Sequence, residues 1–201
     1  MDLPAHASSF CEGYPRLCAN ASNGHDGHCG LDVSRNATFE FVDGLVAELA
    51  TPVDDEALFF ENFFHLGGDE VDTRCWGPPP GSNTNITGDY GFDADIWEWL
   101  KANGNLSTVG YRDMGSYNPT TMQHYLSEAL ADFYQRLDAI AISHGKTPVH
   151  WVEACDALGR TGRLDRRTVV QICPSASIGM CGYSKNTIHD VVRAGYKAIY
   201  N

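Results

Sequence analysis

Apolar residues recur at three- and four-residue spacing in two long stretches of this chain and gather into short runs in several others. Phe39, Val42, Leu45, Val46 and Leu49 predict a helix over 36–50, with Asn36 as its cap. Met122, Tyr125, Leu126, Leu130, Phe133, Leu137 and Ile140 predict a longer helix, opened by Pro119 at a first helical position and closed by Gly145. The aromatic-rich run 58–65 and the runs 148–152, 168–172 and 196–200 predict strands. Ile96 to Lys101 predicts a short helix stopped near Gly104, and 186–194 predicts another. The segments 1–35, rich in Gly, Asn, His and Cys, and 77–91, built on three consecutive prolines, predict loops.

Helix and strand alternate through the middle and end of the chain, which implies parallel strands joined by helical crossovers. Periodicity alone leaves a doubly wound sheet and a barrel both open. No internal repeat, low-complexity tract or linker divides the sequence, so 1–201 reads as one domain.

Composition narrows the partners. The chain has 201 residues, 43% hydrophobic and 20% charged, which suits a globular domain with a core. Its net charge is −12 and its basic residues do not cluster, which argues against nucleic acid and anionic membrane surfaces. No apolar run approaches a membrane span, and Met1-Asp2-Leu3-Pro4 lacks the basic and apolar regions of a signal peptide. Seven cysteines and the sequons at Asn20, Asn36, Asn85 and Asn105 nevertheless point to an oxidising, secretory compartment. No Cys-x2-Cys pair is present, so a metal site is not expected.

The candidate chemistry sits at the end of the first predicted strand, in His65-Leu66-Gly67-Gly68-Asp69-Glu70. Two glycines allow a sharp turn and close approach to a ligand, and two adjacent acids follow. A polar turn capping a helix is the plain alternative for any isolated Asp-Glu pair. The whole run, continued by Val71-Asp72-Thr73-Arg74-Cys75-Trp76, resembles the β-N-acetylhexosaminidases of glycoside hydrolase family 20. Met1 to His6 resembles that family's Asp-x-Pro-Gly-His motif with Ala5 in place of glycine, and Trp151-Val152-Glu153 resembles its Trp-x-Glu.

This resemblance implies a (β/α)8 TIM barrel, of which the chain would supply about strands 3–7. It also implies exo-hydrolysis of terminal N-acetylglucosamine or N-acetylgalactosamine from glycans or chitin oligosaccharides, without a cofactor. The substrate's own acetamido oxygen would attack, with Glu70 as general acid and then base. Asp69 would hold the acetamido N–H and stabilise the developing positive charge. That division of labour requires Glu70 to carry a proton while Asp69 is ionised, and a charged neighbour disfavours a second ionisation. Trp151 would form a wall of the acetamido pocket, although a core tryptophan is an equal reading of the residue alone. His6 would join a polar network beside the acid, and His65 and Glu153 would support the site. Cys173 stands where many members carry a second pocket tryptophan. The family pattern pairs Cys18 with Cys75, with Cys29 as the rival partner. A lysosomal or secreted location follows, and a dimer is allowed. A noncatalytic carbohydrate-binding or interaction protein descended from the enzyme, or an inactive fragment of it, is the competing reading; intact Asp69 and Glu70 favour the enzyme, while the missing strands and Cys173 favour the alternative.

Overall fold

The structure, a computed structural model, describes residues 1–19, 30–50, 58–71, 76, 93–103, 119–158, 164–172 and 188–200. The chain forms two compact units, one built from Met1–Leu3, Phe39–Glu70 and Phe133–Asn201, the other from Pro4–Thr38 and Val71–Asp132.

The first unit holds a sheet of four strands in sequential order: β1 (Phe63–Gly67), β2 (Thr147–Trp151), β3 (Val169–Ile172) and β4 (Lys197–Tyr200). Every neighbouring pair is parallel, so each connection must cross back over the sheet. Helices α3 (Ala94–Asn103) and α4 (Pro119–Ser143) lie between β1 and β2 in the chain. Helix α5 (Val152–Leu158) follows β2, and α6 (Ile188–Arg193) precedes β4. The α/β alternation expected from periodicity is therefore the observed one, including the parallel order of the first three strands.

Core packing explains the strand and helix faces. Phe64, Leu66, Val149, Val169, Val170 and Ile172 are buried on the strands. Helix α2 (Asn36–Ala50) buries Phe39, Val42 and Val46, while α4 buries Phe133, Leu137 and Ala141. Phe39 and Phe133 meet with ring centroids 5.4 Å apart, and the Arg136 guanidinium covers the Phe39 ring at 3.3 Å. Helix α4 ends as expected at Gly145, where Lys146 N–H donates to the Ala141 carbonyl and Gly145 N–H to that of Ile142.

Several boundaries differ from expectation, three of them with a visible cause or consequence. The first strand begins at Phe63 rather than 58 and runs on to Gly67. Leu58 and Phe60 are 75% and 77% exposed, and the Lys146 ammonium binds the Phe59 and Glu61 carbonyls, holding that stretch as a turn. Pairing starts only where Phe63 meets Thr147, so aromatic content alone misplaced the strand. Strand β2 stops at Trp151 because α5 begins at Val152. Asn36 is the first residue of α2 rather than its cap.

The second unit contains α1 (Ser8–Gly13) and a 3-10 turn at Pro15–Leu17, where a single long loop was expected. Local hydrogen bonds build it: Cys11 N–H donates to Ala7, Tyr14 to Phe10 and Leu17 to Tyr14. Ala5 is fully buried and adopts no positive φ, so the alanine in the expected glycine position is accommodated without left-handed backbone. Helix α3 is capped by the Asp93 carboxylate, which accepts from the Asp95 and Ile96 amides, and it buries Ile96, Trp97 and Leu100.

The disulfide in this unit corrects the expected pairing. Cys18 is bonded to Cys11, with Cα atoms 5.6 Å apart. The short helix and the 3-10 turn fold the seven-residue separation back on itself, bringing both thiols within bonding reach. The expected partner Cys75 and its rival Cys29 lie outside the described residues, as does Cys173.

Candidate active site

The site is built on the C-terminal end of β1, where a parallel α/β sheet presents its loops. Gly67 and Gly68 have φ of 81° and 108°, in the region that L side chains rarely adopt. A Cβ on Gly67 would collide with the Asp2 backbone and carboxylate, and one on Gly68 would press on Ala154 and Tyr134. Asp69 follows, half-buried, and then Glu70, exposed. Glu70 has φ of 51°, the only non-glycine among the described residues with positive φ. That conformation costs an L residue roughly 1–2 kcal/mol, and such strain persists where surrounding structure imposes it.

The turn is held by several polar contacts. Gly68 N–H donates to the Asp2 carboxylate at 3.0 Å, beside a Leu3 N–H bond to the Leu66 carbonyl at 2.9 Å. The buried Tyr134 hydroxyl donates to the Gly68 carbonyl at 3.0 Å. Burial, then the charges of Asp2, Asp69 and Glu153, push the Tyr134 hydroxyl well above its usual range, so it stays a neutral donor.

His65 binds both the turn and strand β3. Its Nδ1 accepts the Gly67 amide at 3.0 Å, so Nε2 carries the proton and donates to Gln171 Oε1 at 3.1 Å. Burial, and next the proximity of His150, lower its pKa and favour this neutral ring. Its ring meets Trp151 edge-on, 5.1 Å between centroids. The register pairs Gly67 with His150, so Trp151 stands one residue further along, at the same end of the sheet as the acids. Trp151 is half-buried, and Glu153 is half-buried in the first turn of α5.

All 201 residues match the model of the glycosyl hydrolase family 20 catalytic domain. The chain belongs to that family. Among curated proteins it is similar to Beta-hexosaminidase 1 of Arabidopsis thaliana, 33% identical over 171 residues, which cover 85% of this chain and 23% of that protein. Beta-hexosaminidase subunit A2 of Dictyostelium discoideum is 28% identical over 98% of the chain and 27% of its own length. Among solved structures the fold is similar to a Flavobacterium johnsoniae chitobiase, with a TM-score of 0.61 and 22% identity over the whole chain and 24% of that protein. An exo beta-N-acetylglucosaminidase from Vibrio harveyi gives 0.57 at 17% identity. The family 20 chain thus spans about a quarter of the length of the relatives it matches.

Within this family 20 chain, the first unit gathers Asp69, Glu70, His65, Trp151 and Glu153. His6 belongs to the second unit, where it is exposed just before α1. Tyr134, Asp138, His150 and Gln171 escaped the sequence reading. Tyr134 and Asp138 lie four and eight residues after Leu130, on the helix face already marked by Leu130 and Leu137. A carboxylate in that apolar stripe was the available signal of a buried polar partner. Among the described residues, no helix is long and apolar enough to cross a membrane.

Proposed function

We propose that this chain forms the central part, about strands 3–7, of the (β/α)8 barrel of an exo-β-N-acetylhexosaminidase that removes terminal N-acetylglucosamine or N-acetylgalactosamine by substrate-assisted, retaining hydrolysis. The observation that carries this reading is the two-glycine turn that presents Asp69 and a strained, exposed Glu70 at the C-terminal end of a parallel sheet.

Most glycosidases place two carboxyl groups on opposite sides of the scissile bond, at least about 5 Å apart. Consecutive residues on one turn suit that arrangement poorly. Substrate assistance removes the need for an opposed nucleophile. The acetamido oxygen attacks the anomeric carbon as the bond to the leaving oxygen breaks. Glu70 gives its proton to that oxygen. Water then adds to the anomeric carbon, returns a proton to Glu70, and opens the oxazolinium ring with net retention. Asp69 holds the acetamido N–H and balances the developing positive charge, a role that its half-buried, less screened position supports. Trp151 offers an apolar wall for the acetamido methyl, and Glu153 and His65 support it. The Cys11–Cys18 disulfide and the sequons support a lysosomal or secreted location.

The test uses the protein as its full reading frame encodes it. Glu70→Gln should lose most activity on a natural disaccharide and far less on an activated aryl N-acetylglucosaminide, whose leaving group needs no proton. Asp69→Asn should impair both. Intact disaccharide hydrolysis by Glu70→Gln would overturn the acid assignment. Sugar binding without turnover in the wild-type protein would instead favour a noncatalytic role.

A further inference from the structure

Two consecutive peptide carbonyls in the catalytic turn are each met by a buried ring from a different element. The Gly68 carbonyl accepts the Tyr134 hydroxyl of α4 at 3.0 Å. The Gly67 carbonyl accepts from His150 Nδ1 of β2 at 3.2 Å. Both rings are fully buried, and they touch each other edge to face with centroids 5.1 Å apart.

His150 is anchored from behind. Its Nε2 lies 2.9 Å from Asp138 Oδ1, and the other Asp138 oxygen accepts the Thr168 hydroxyl at 2.7 Å and the Asp165 amide at 3.2 Å. Both ring nitrogens of His150 therefore have a polar partner, the Gly67 carbonyl on one side and the Asp138 carboxyl on the other. Every group in this chain of contacts finds a partner, as buried polar groups must. The strand pairing shifts register between His65 and Gly67, at the point this clamp grips.

We propose that Tyr134 and His150 are positioning residues that set the direction of the Gly67–Gly68 turn and so aim Asp69 and Glu70, with Asp138 and Thr168 holding His150. This rests on the reading of Glu70 and Asp69 as the reacting pair. Glycines supply no side-chain packing of their own, so the turn needs external bonds to remain in one conformation. A small angular drift of the turn would move the acids away from the scissile oxygen, and misplacement by about 1 Å can cost about a hundredfold in rate.

The experiment compares Tyr134→Phe with Tyr196→Phe in the protein as its full reading frame encodes it. Tyr196 is a control because it is likewise buried and donates to a carbonyl, that of Leu164, away from the turn. Tyr134→Phe should lower kcat on a disaccharide about tenfold or more, the equivalent of one lost hydrogen bond, with KM within about twofold. Amide hydrogen exchange at Gly67 and Gly68 should quicken at the same time. Tyr196→Phe should lose similar stability with neither effect. His150→Gln should repeat the Tyr134→Phe result and decides the matter if that variant fails to fold. Unchanged exchange at Gly67 and Gly68, or equal loss of kcat in Tyr196→Phe, would overturn the clamp. If the wild-type protein hydrolyses no N-acetylhexosaminide, the proposed function fails, while the exchange measurement still decides whether the two rings hold the turn.

Discussion

Replacing Glu70 with glycine should stabilise the fold while abolishing catalysis. Glu70 holds φ at 51° and its side chain is exposed, so the substitution relieves backbone strain without opening a cavity. Relief of the left-handed conformation contributes roughly 1–2 kcal/mol. Glycine's extra freedom in the unfolded chain takes back about 0.5–1 kcal/mol. The net gain lies between about 0 and 1.5 kcal/mol with a centre near 0.75, or about 0.4 M in the urea midpoint at a slope near 2 kcal/mol per molar. Glu70→Ala is the necessary comparison, because it also deletes the carboxylate but keeps the strain. Urea unfolding of the three proteins, followed by far-UV dichroism, should therefore rank glycine above glutamate and alanine. Hydrolysis of a disaccharide should be lost in both variants. If glycine is no more stable than alanine, the conformation at position 70 stores no strain, and the turn does not force the acid into place.

Gly67→Ala should act in the opposite direction, since its Cβ has no room beside Asp2 and its φ is 81°. Losing the two hydrogen bonds that residues 2 and 3 make to Gly68 and Leu66, plus the backbone penalty, should cost about 3–4 kcal/mol by urea unfolding, and a loss below about 1 kcal/mol would contradict the close approach. Nonreducing peptide mapping should recover Cys11 linked to Cys18, and replacing both by serine should cost about 2.5 kcal/mol for so short a loop; a Cys18–Cys75 peptide would refute the observed pairing. Hydrogen bonding from Arg167 lowers the Asp165 carboxyl to about 2 from its usual 3.8. Its contribution is therefore complete above pH 3.8 and disappears as the pH falls through about 2, so the small deficit of Asp165→Asn at pH 7 should vanish in acid; a deficit that grows toward pH 2 would reverse the assignment.

Local pattern determined much of this protein. Apolar spacing located α2 and α4, Gly145 marked the end of α4, and alternation of element types implied the parallel sheet, because each of these depends on residues near one another in the chain. The motif around Asp69 and Glu70 was equally legible, since its glycines and acids are consecutive. Tertiary structure decided the rest. The aromatic run at 58–60 read as strand, yet only the pairing of Phe63 with Thr147 sets where β1 starts. Cys18 bonds Cys11 because a short helix and a 3-10 turn bring them together, a geometry that cysteine spacing does not encode. The supports of the turn come from residues 66 and 83 positions away, in Tyr134 and His150, so no sequence window contains both a support and what it holds. A buried polar residue becomes intelligible only when its partner is in place, and long-range packing brings that partner there.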